Sequence, residues 1–173
     1  MALTVTEPGG NKLYSFWRWL TADGIGGGTY QATGNYSVTP LVLKVTCRAG
    51  EQLWLHKLQV HVQDAAQFDP AGYGGLVALT NGVTVGVFNE AGTEIHRLTQ
   101  EPVTNLGEWA HFGESAYGEK STSTMYFVGR LDLIGVSTPI QLSEGQSFRV
   151  TISDNMTGLD EHDFLLHGER RPA

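Results

Sequence analysis

The segment around Asn81-Gly82 constrains the fold of this chain most strongly. Two runs rich in β-branched and small apolar residues, 76–80 and 83–88, flank this dipeptide. Asn-Gly favours a two-residue turn with positive φ at both positions, so the pattern predicts a β-hairpin. Similar short apolar runs recur along the chain between Gly, Pro, Asn and Asp, and none has a sustained helical periodicity. The sequence therefore predicts an all-β protein.

Alternating patterns predict about nine strands in antiparallel sheets. Leu58, Val60 and Val62 share one side of the run 52–62, which is typical of a strand with one buried face. Further strands are expected at 38–47, 76–80, 83–88, 93–98, 125–133, 138–142, 147–153 and 163–167. Short strands at this spacing are typical of a β-sandwich, a jelly roll or a barrel.

Composition narrows the class of protein. The chain has 173 residues, which suits one domain with its own core. A net charge of -7 argues against nucleic-acid binding. We expect Cys47, the single cysteine, to be a buried apolar residue in a protein made in a reducing cytoplasm. The sequence has neither a secretory signal pattern nor an apolar run of the roughly 18 residues that a membrane span needs.

Residues 1–30 differ from the remainder, and we divide the chain into this segment and a single β-sandwich domain over 31–173. The segment contains an aromatic cluster followed by a glycine-rich stretch, 24–28, with the composition of a flexible linker. The aromatic residues in question are Tyr14, Phe16, Trp17 and Trp19. They either form a first strand that packs on the core together with Leu20, or an N-terminal arm that reaches a neighbouring subunit.

Two long segments, 63–75 and 99–120, do not fit a minimal sandwich. Long aromatic-rich loops either fold back on the core or bind a partner. Aromatic residues are enriched at interface hot spots, so we treat these loops as candidate contact surfaces. Their candidate residues are Phe68, Tyr73, Trp109, Phe112 and Tyr117.

Catalytic and metal-binding motifs are lacking in the sequence, so we predict neither an enzyme nor a cofactor. The acidic segment Asp154–Asp163 has oxygen ligands suited to Ca²⁺, but its spacing differs from an EF-hand, and we prefer to interpret it as a polar turn between the last two strands. The six histidines form no His-x-His or His-x-x-x-His pair, so we predict no local metal site. A ligand set assembled from distant strands stays open.

Three segments resemble a group of small virion structural proteins of tailed bacteriophages. They are Ala32–Pro40, Ala78–Gly86 and Phe148–Phe164, and the resemblance spans roughly residues 30–168. It implies a β-sandwich, specifically a jelly roll, in a phage particle assembled in the host cytoplasm. It transfers no catalytic residue, because these segments carry no chemistry.

The leading functional hypothesis is a capsid decoration, or cement, protein that binds the major capsid protein or other virion proteins as a homotrimer. Neither nucleic acid nor a membrane is an expected partner. A neck, tail or fibre-attachment component is the first alternative. A carbohydrate-binding module acting through Tyr73, Trp109 and Tyr117 is the second, and an enzyme on a β-sandwich scaffold is the third. We also expect removal of residues 1–28 to weaken capsid attachment without unfolding the sandwich.

Overall fold

The computed structural model describes residues 14–20, 31–64, 69–99, 101–112, 115–119, 124–130 and 139–173. These residues form ten β-strands and one short α-helix, α1, over Leu106–Phe112. The strands are β1 (Tyr14–Trp19), β2 (Leu41–Thr46), β3 (Glu51–Gln63), β4 (Val83–Phe88), β5 (Glu94–Arg97), β6 (Ser115–Glu119), β7 (Thr124–Arg130), β8 (Ile140–Leu142), β9 (Ser147–Ile152) and β10 (Glu161–Pro172). Within the described part of the chain, no helix is long and apolar enough to cross a membrane.

The strands form two antiparallel sheets, which confirms the all-β prediction. The larger sheet has the order β1-β10-β3-β7-β6, and β8 also pairs with β3. The smaller sheet has the order β2-β9-β4-β5. The described residues thus contain ten strands where about nine were expected. The jelly-roll connectivity is not confirmed, because β10 lies between β1 and β3 and the consecutive strands β4 and β5 are neighbours in one sheet.

One hydrophobic cluster lies between the two sheets. Leu58, Val60 and Val62 of β3 belong to it, as their alternation predicted. Val85 and Val150, which are opposite each other in the smaller sheet, contribute from the other side. Cys47 is also buried in this cluster, which confirms the expectation from sequence. Burial of these apolar side chains supplies the main stabilisation of the fold.

The hairpin predicted at Asn81-Gly82 is wrong. β4 begins at Val83, but the preceding run 76–80 forms no strand. Instead, the Leu79 N–H donates to the carbonyl of Thr104 at 2.7 Å. The hairpin partner of β4 is β5, which follows it along the chain. A local turn signal was thus overridden by hydrogen bonds to a segment distant in sequence.

The N-terminal aromatic segment forms a strand of the larger sheet. β1 pairs with β10 in antiparallel register over Tyr14–Trp19. The following residue, Leu20, is fully buried, and its N–H donates to the carbonyl of Phe164 at 3.0 Å. This is the first of the two interpretations drawn from sequence, and an N-terminal arm is not confirmed. Removing residues 1–28 would delete both this strand and a core residue, so that truncation would disturb the sandwich itself. Residues 1–13 and the glycine-rich stretch 24–28 lie outside the described residues.

The segment 99–120 contains a helix and a strand that the sequence analysis did not predict. The side-chain oxygen of Asn105 accepts the Glu108 N–H at 3.1 Å, and the Glu108 carboxylate accepts the N–H of Thr104. Asn105 thus caps the helix, and the arrangement resembles a capping box except that Glu108 accepts the N–H of the residue before the cap. It starts α1, and β6 then joins the larger sheet beside β7.

Candidate functional site: the outer face of the larger sheet

Three of the six histidines lie on the face of the larger sheet that points away from the core. Residues of β3 and β10 alternate between core and this second face. We call it the outer face. The alternation shifts by one residue at His56-Lys57, and the outer-face residues of these two strands are Gln52, Trp54, His56, Lys57, Gln59, His61, Gln63, Glu161, Asp163, Leu165, His167, Glu169 and Arg171. Its histidines and carboxylates make it the candidate functional site.

One histidine and two carboxylates converge at one end of the outer face. His61 on β3 is the cross-strand partner of Asp163 on β10. Glu161 lies two residues before Asp163, so both carboxylates project to the same side of the strand. The His61 Nδ1 atom is 3.2 Å from Glu161 Oε2 and 3.4 Å from Asp163 Oδ2. We call these residues the His61 cluster; one ligand atom from each lies within 4.8 Å of the others.

The His61 cluster is partly shielded from water and combines two carboxylates with one imidazole. The side chains of His61, Asp163 and Glu161 are 13%, 10% and 37% exposed. Among the side chains that the structure describes, His61 is the one basic side chain within 4 Å of either carboxylate. In addition, Asp163 Oδ1 is buried and accepts no hydrogen bond from the described residues. A buried carboxylate oxygen without a partner is costly, so this cluster has capacity for a further ligand.

A second group of charged residues lies further along the outer face, and its main hydrogen bonds join Glu169 to Arg171. Glu169 Oε1 is 3.2 Å from His56 Nε2, and Glu169 Oε2 accepts two hydrogen bonds from the guanidinium of Arg171 at 2.8 and 3.1 Å. These hydrogen bonds lower the pKa of Glu169. The Arg171 guanidinium also stacks on Trp54, 4.2 Å from the ring centroid. Partial burial lowers the pKa of the neighbouring His167.

The aromatic residues predicted for the N-terminal arm all lie on β1, at the edge of the larger sheet. Trp17 is opposite His167 and Trp19 is opposite Leu165, so β1 flanks the outer-face strand β10. Tyr14 and Phe16 are opposite Arg170 and Gly168. The strand position of these residues is established; their contact with a partner stays a prediction.

Two of the predicted loop contacts, Tyr73 and Trp109, are core residues and cannot present a surface. Both side chains are fully buried, because the loops that carry them fold back on the core. Phe112 is the last residue of α1, and Tyr117 lies in β6 opposite Tyr126. The side chains of Phe112 and Tyr117, and the whole of Phe68, lie outside the described parts of the chain. The carbohydrate hypothesis therefore loses two of its three aromatic residues.

Tyr73 and Trp109 belong to a buried hydrogen-bond chain that ends at His162. Trp109 Nε1–H donates to the Tyr73 hydroxyl oxygen at 2.9 Å, and the Tyr73 hydroxyl lies 2.9 Å from His162 Nε2. His162 Nδ1 lies 3.2 Å from the carbonyl of Ala32, which can only accept. This assigns the proton to Nδ1 and makes Nε2 the acceptor of the tyrosine hydroxyl. Burial lowers the pKa of His162 to about 4 and raises the pKa of Tyr73, so both groups stay neutral at physiological pH.

The acidic segment Asp154–Asp163 uses its first carboxylate to bind backbone rather than a cation. The Asp154 carboxylate accepts the N–H groups of Thr80, Asn81 and Gly82. Asn155 makes the local turn bonds that its residue type favours, with its side-chain oxygen accepting the N–H of Thr157. The polar-turn interpretation thus fits Asn155, whereas Asp154 bonds to a segment more than 70 residues away.

Comparison of the chain with protein-family models, with curated proteins and with solved structures returned no match.

Proposed function

We propose that this chain is a non-enzymatic structural component of a bacteriophage virion, and within that class a capsid decoration protein. The resemblance of three segments to small phage virion proteins suggests this class. The position of β1, an aromatic-rich strand at the edge of a sheet, is the observation that carries the proposal.

An edge strand is a natural attachment element. Among the strands that the structure describes, β1 pairs with β10 alone, which leaves its second backbone edge for another chain. Addition of a strand to such an edge gives affinity through backbone hydrogen bonds, and aromatic side chains supply buried contact area. In this proposal β1 and residues 1–13 attach the protein to a neighbouring subunit or to the major capsid protein.

A cement protein acts by adding contact area across the joints between capsomers, so that internal pressure must break more contacts. That role needs a module that keeps its shape under load. Two sheets joined through one hydrophobic cluster suit it, because packed interiors resist deformation. A homotrimer, in which three copies of β1 contact the shell together, would multiply a modest single-site affinity.

Copy number per particle tests the proposal directly. Quantitative mass spectrometry of purified phage particles would give the number of copies of this chain relative to the major capsid protein. Hundreds of copies, in a simple ratio to the shell protein, are expected for decoration. A dozen copies or fewer would move the protein to the neck, the tail or a fibre, with ring symmetry. Absence from particles would refute a virion role altogether.

Two variants test the attachment element without cutting into the sandwich. Removal of residues 1–13 leaves β1 and Leu20 in place, and Trp17→Ala keeps the β1 backbone. Both are expected to weaken binding to shells that lack the protein. Trp54→Ala is the matched control, since this tryptophan lies on the central strand β3. If Trp17→Ala and the truncated protein bind shells as tightly as the parent chain, the attachment role of this segment is wrong.

A further inference from the structure

We propose that His61, Glu161 and Asp163 bind one divalent transition-metal ion, with Zn²⁺ as the ion that best suits the donors. The site joins β3 to β10 on the outer face of the larger sheet. It is independent of the virion proposal, because it concerns a site formed entirely within one chain.

The spacing of the donor atoms fits a metal ion. Two ligands at about 2.0–2.1 Å from Zn²⁺, at the tetrahedral angle, are separated by about 3.3–3.4 Å. The separations from His61 Nδ1 to the oxygens of Glu161 and Asp163 are 3.2 and 3.4 Å. The ligand oxygens of Glu161 and Asp163 lie within 4.8 Å of each other, so an ion could bind to all three residues once rotation of these two side chains brings the oxygens to the tetrahedral spacing.

The strand pairing holds the donors in place before any ion binds. His61 and Asp163 are cross-strand partners at the third pair from one end of the β3–β10 ladder, and Glu161, two residues before Asp163, lies on the same face at the first pair. Ligands fixed on rigid strands lose little conformational entropy on binding. The two strands thus preorganise the site. The part of the acidic segment that precedes β10 is loop and has no such support.

Charge and hydrogen bonding also favour cation binding at this cluster. Two carboxylates face one histidine, and no other cationic group among the described residues lies within 4 Å of them. Asp163 Oδ1 is buried, and no described group donates a hydrogen bond to it. A divalent ion would offset the excess charge, and either bidentate binding or a metal-bound water would satisfy Oδ1.

The donor types select the class of ion. Ca²⁺ takes six to eight oxygen ligands, whereas this cluster offers one imidazole nitrogen and two carboxylates. Imidazole and carboxylate together suit Zn²⁺ and its neighbours in the first transition row. Three protein ligands leave a fourth tetrahedral position for water or for a group from a partner.

Binding should be measured on the full chain after removal of metals by chelation and dialysis. Isothermal titration with ZnCl₂ is expected to give one equivalent bound. Co²⁺ is the spectroscopic probe, and we expect intense visible absorption bands of the kind that tetrahedral coordination produces. Asp163→Asn and His61→Gln each remove one ligand. Each is expected to weaken Zn²⁺ binding by at least about a hundredfold, since loss of an outer-shell partner alone costs about 10–100-fold.

The outer face supplies its own matched control. His56 and Glu169 also lie 3.2 Å apart, but no third ligand joins them among the described residues. His56→Gln should therefore leave Zn²⁺ affinity unchanged. If a His61 or Asp163 variant fails to fold by circular dichroism, Glu161→Gln tests the same site, because Glu161 is the most exposed ligand.

Three outcomes would overturn the proposal. The chain could bind neither Zn²⁺ nor Co²⁺, it could bind them equally well after loss of a cluster ligand, or His56→Gln could abolish binding. In each case the cluster would be a purely structural contact between His61 and the two carboxylates.

Discussion

Asp154→Ala is predicted to be among the most destabilising single substitutions in this chain. The carboxylate of Asp154 accepts the N–H groups of Thr80, Asn81 and Gly82 at 3.0, 3.0 and 2.7 Å. The residue is only 7% exposed, so water does not readily replace it. Alanine would leave these three backbone donors without their acceptor, in a segment that connects the smaller sheet to the loop before β10.

The magnitude follows from the number of bonds lost. A hydrogen bond to a charged group contributes about 1.5–3 kcal/mol, and an unsatisfied buried donor costs about 1–3 kcal/mol. Because the three donors are adjacent, their contributions are not additive, and a water molecule can enter the cavity. We expect a loss of about 3–5 kcal/mol in the free energy of unfolding. Asp154→Asn keeps one oxygen acceptor and should lose about half as much.

Urea unfolding followed by tryptophan fluorescence measures this change. Asp160→Ala is the control, because Asp160 is an exposed acidic residue in the same segment and should change stability by less than about 0.5 kcal/mol. If Asp154→Ala costs less than about 1 kcal/mol, or no more than Asp160→Ala, the carboxylate does not organise this segment. The reasoning would then be wrong.

The remaining predictions concern pH, backbone conformation and the buried network. Burial lowers the pKa of His162 from 6.5 to about 4, so between these pH values the unfolded chain binds more protons than the folded chain. The free energy of unfolding should therefore fall as pH falls, by about 3 kcal/mol in all. Urea unfolding in EDTA at pH 7 and 4.5 measures this loss, and equal stability at the two pH values would contradict the prediction. Gly82 and Gly50 both have positive φ, but a new Cβ at Gly82 would lie 2.8 Å from Pro102, whereas one at Gly50 would meet nothing within 4 Å. Gly82→Ala should therefore lower the free energy of unfolding by at least about 2 kcal/mol more than Gly50→Ala. Equal losses of stability on urea unfolding would refute the clash. Tyr73→Phe removes a hydroxyl that hydrogen-bonds to both His162 and Trp109. It should reduce stability by about 2 kcal/mol and so lower the midpoint temperature of thermal unfolding. An unchanged midpoint would contradict a stabilising role for this hydroxyl.

Local pattern was sufficient to predict the strands whose alternation reports one buried face. The run 52–62 lies in β3, the run 147–153 contains β9, and the run 163–167 is part of β10. The same local reasoning failed at Asn81-Gly82, where the backbone donors are taken by Asp154, far away in sequence. It also missed α1, although the sequence displays Asn105 as an N-cap residue with Glu108 three positions later. The capping signal is local and can be found in the sequence. The bonds from Asp154 to the 80–82 turn join residues about 70 positions apart, and no local pattern predicts them.

The His61 cluster could not be predicted from sequence for a related reason. His61 and Asp163 are 102 positions apart, and only the pairing of β3 with β10 makes them neighbours. Taken alone, each residue is an ordinary polar residue on the solvent-facing side of a strand. The site is therefore a property of the sheet, and metal binding by it would report that β3 and β10 are correctly paired.

β10 connects both proposals, because it lies between β1 and β3. A force on an attached β1 reaches the core through the β1–β10 ladder, which has six residue pairs, and then through the β10–β3 ladder, which has twelve. The shorter ladder, at the edge, is expected to separate first, so load should detach β1 before it opens the sandwich. A metal ion at the His61 cluster would strengthen the second ladder only. Zn²⁺ should therefore raise resistance to global unfolding while leaving the strength of attachment through β1 unchanged.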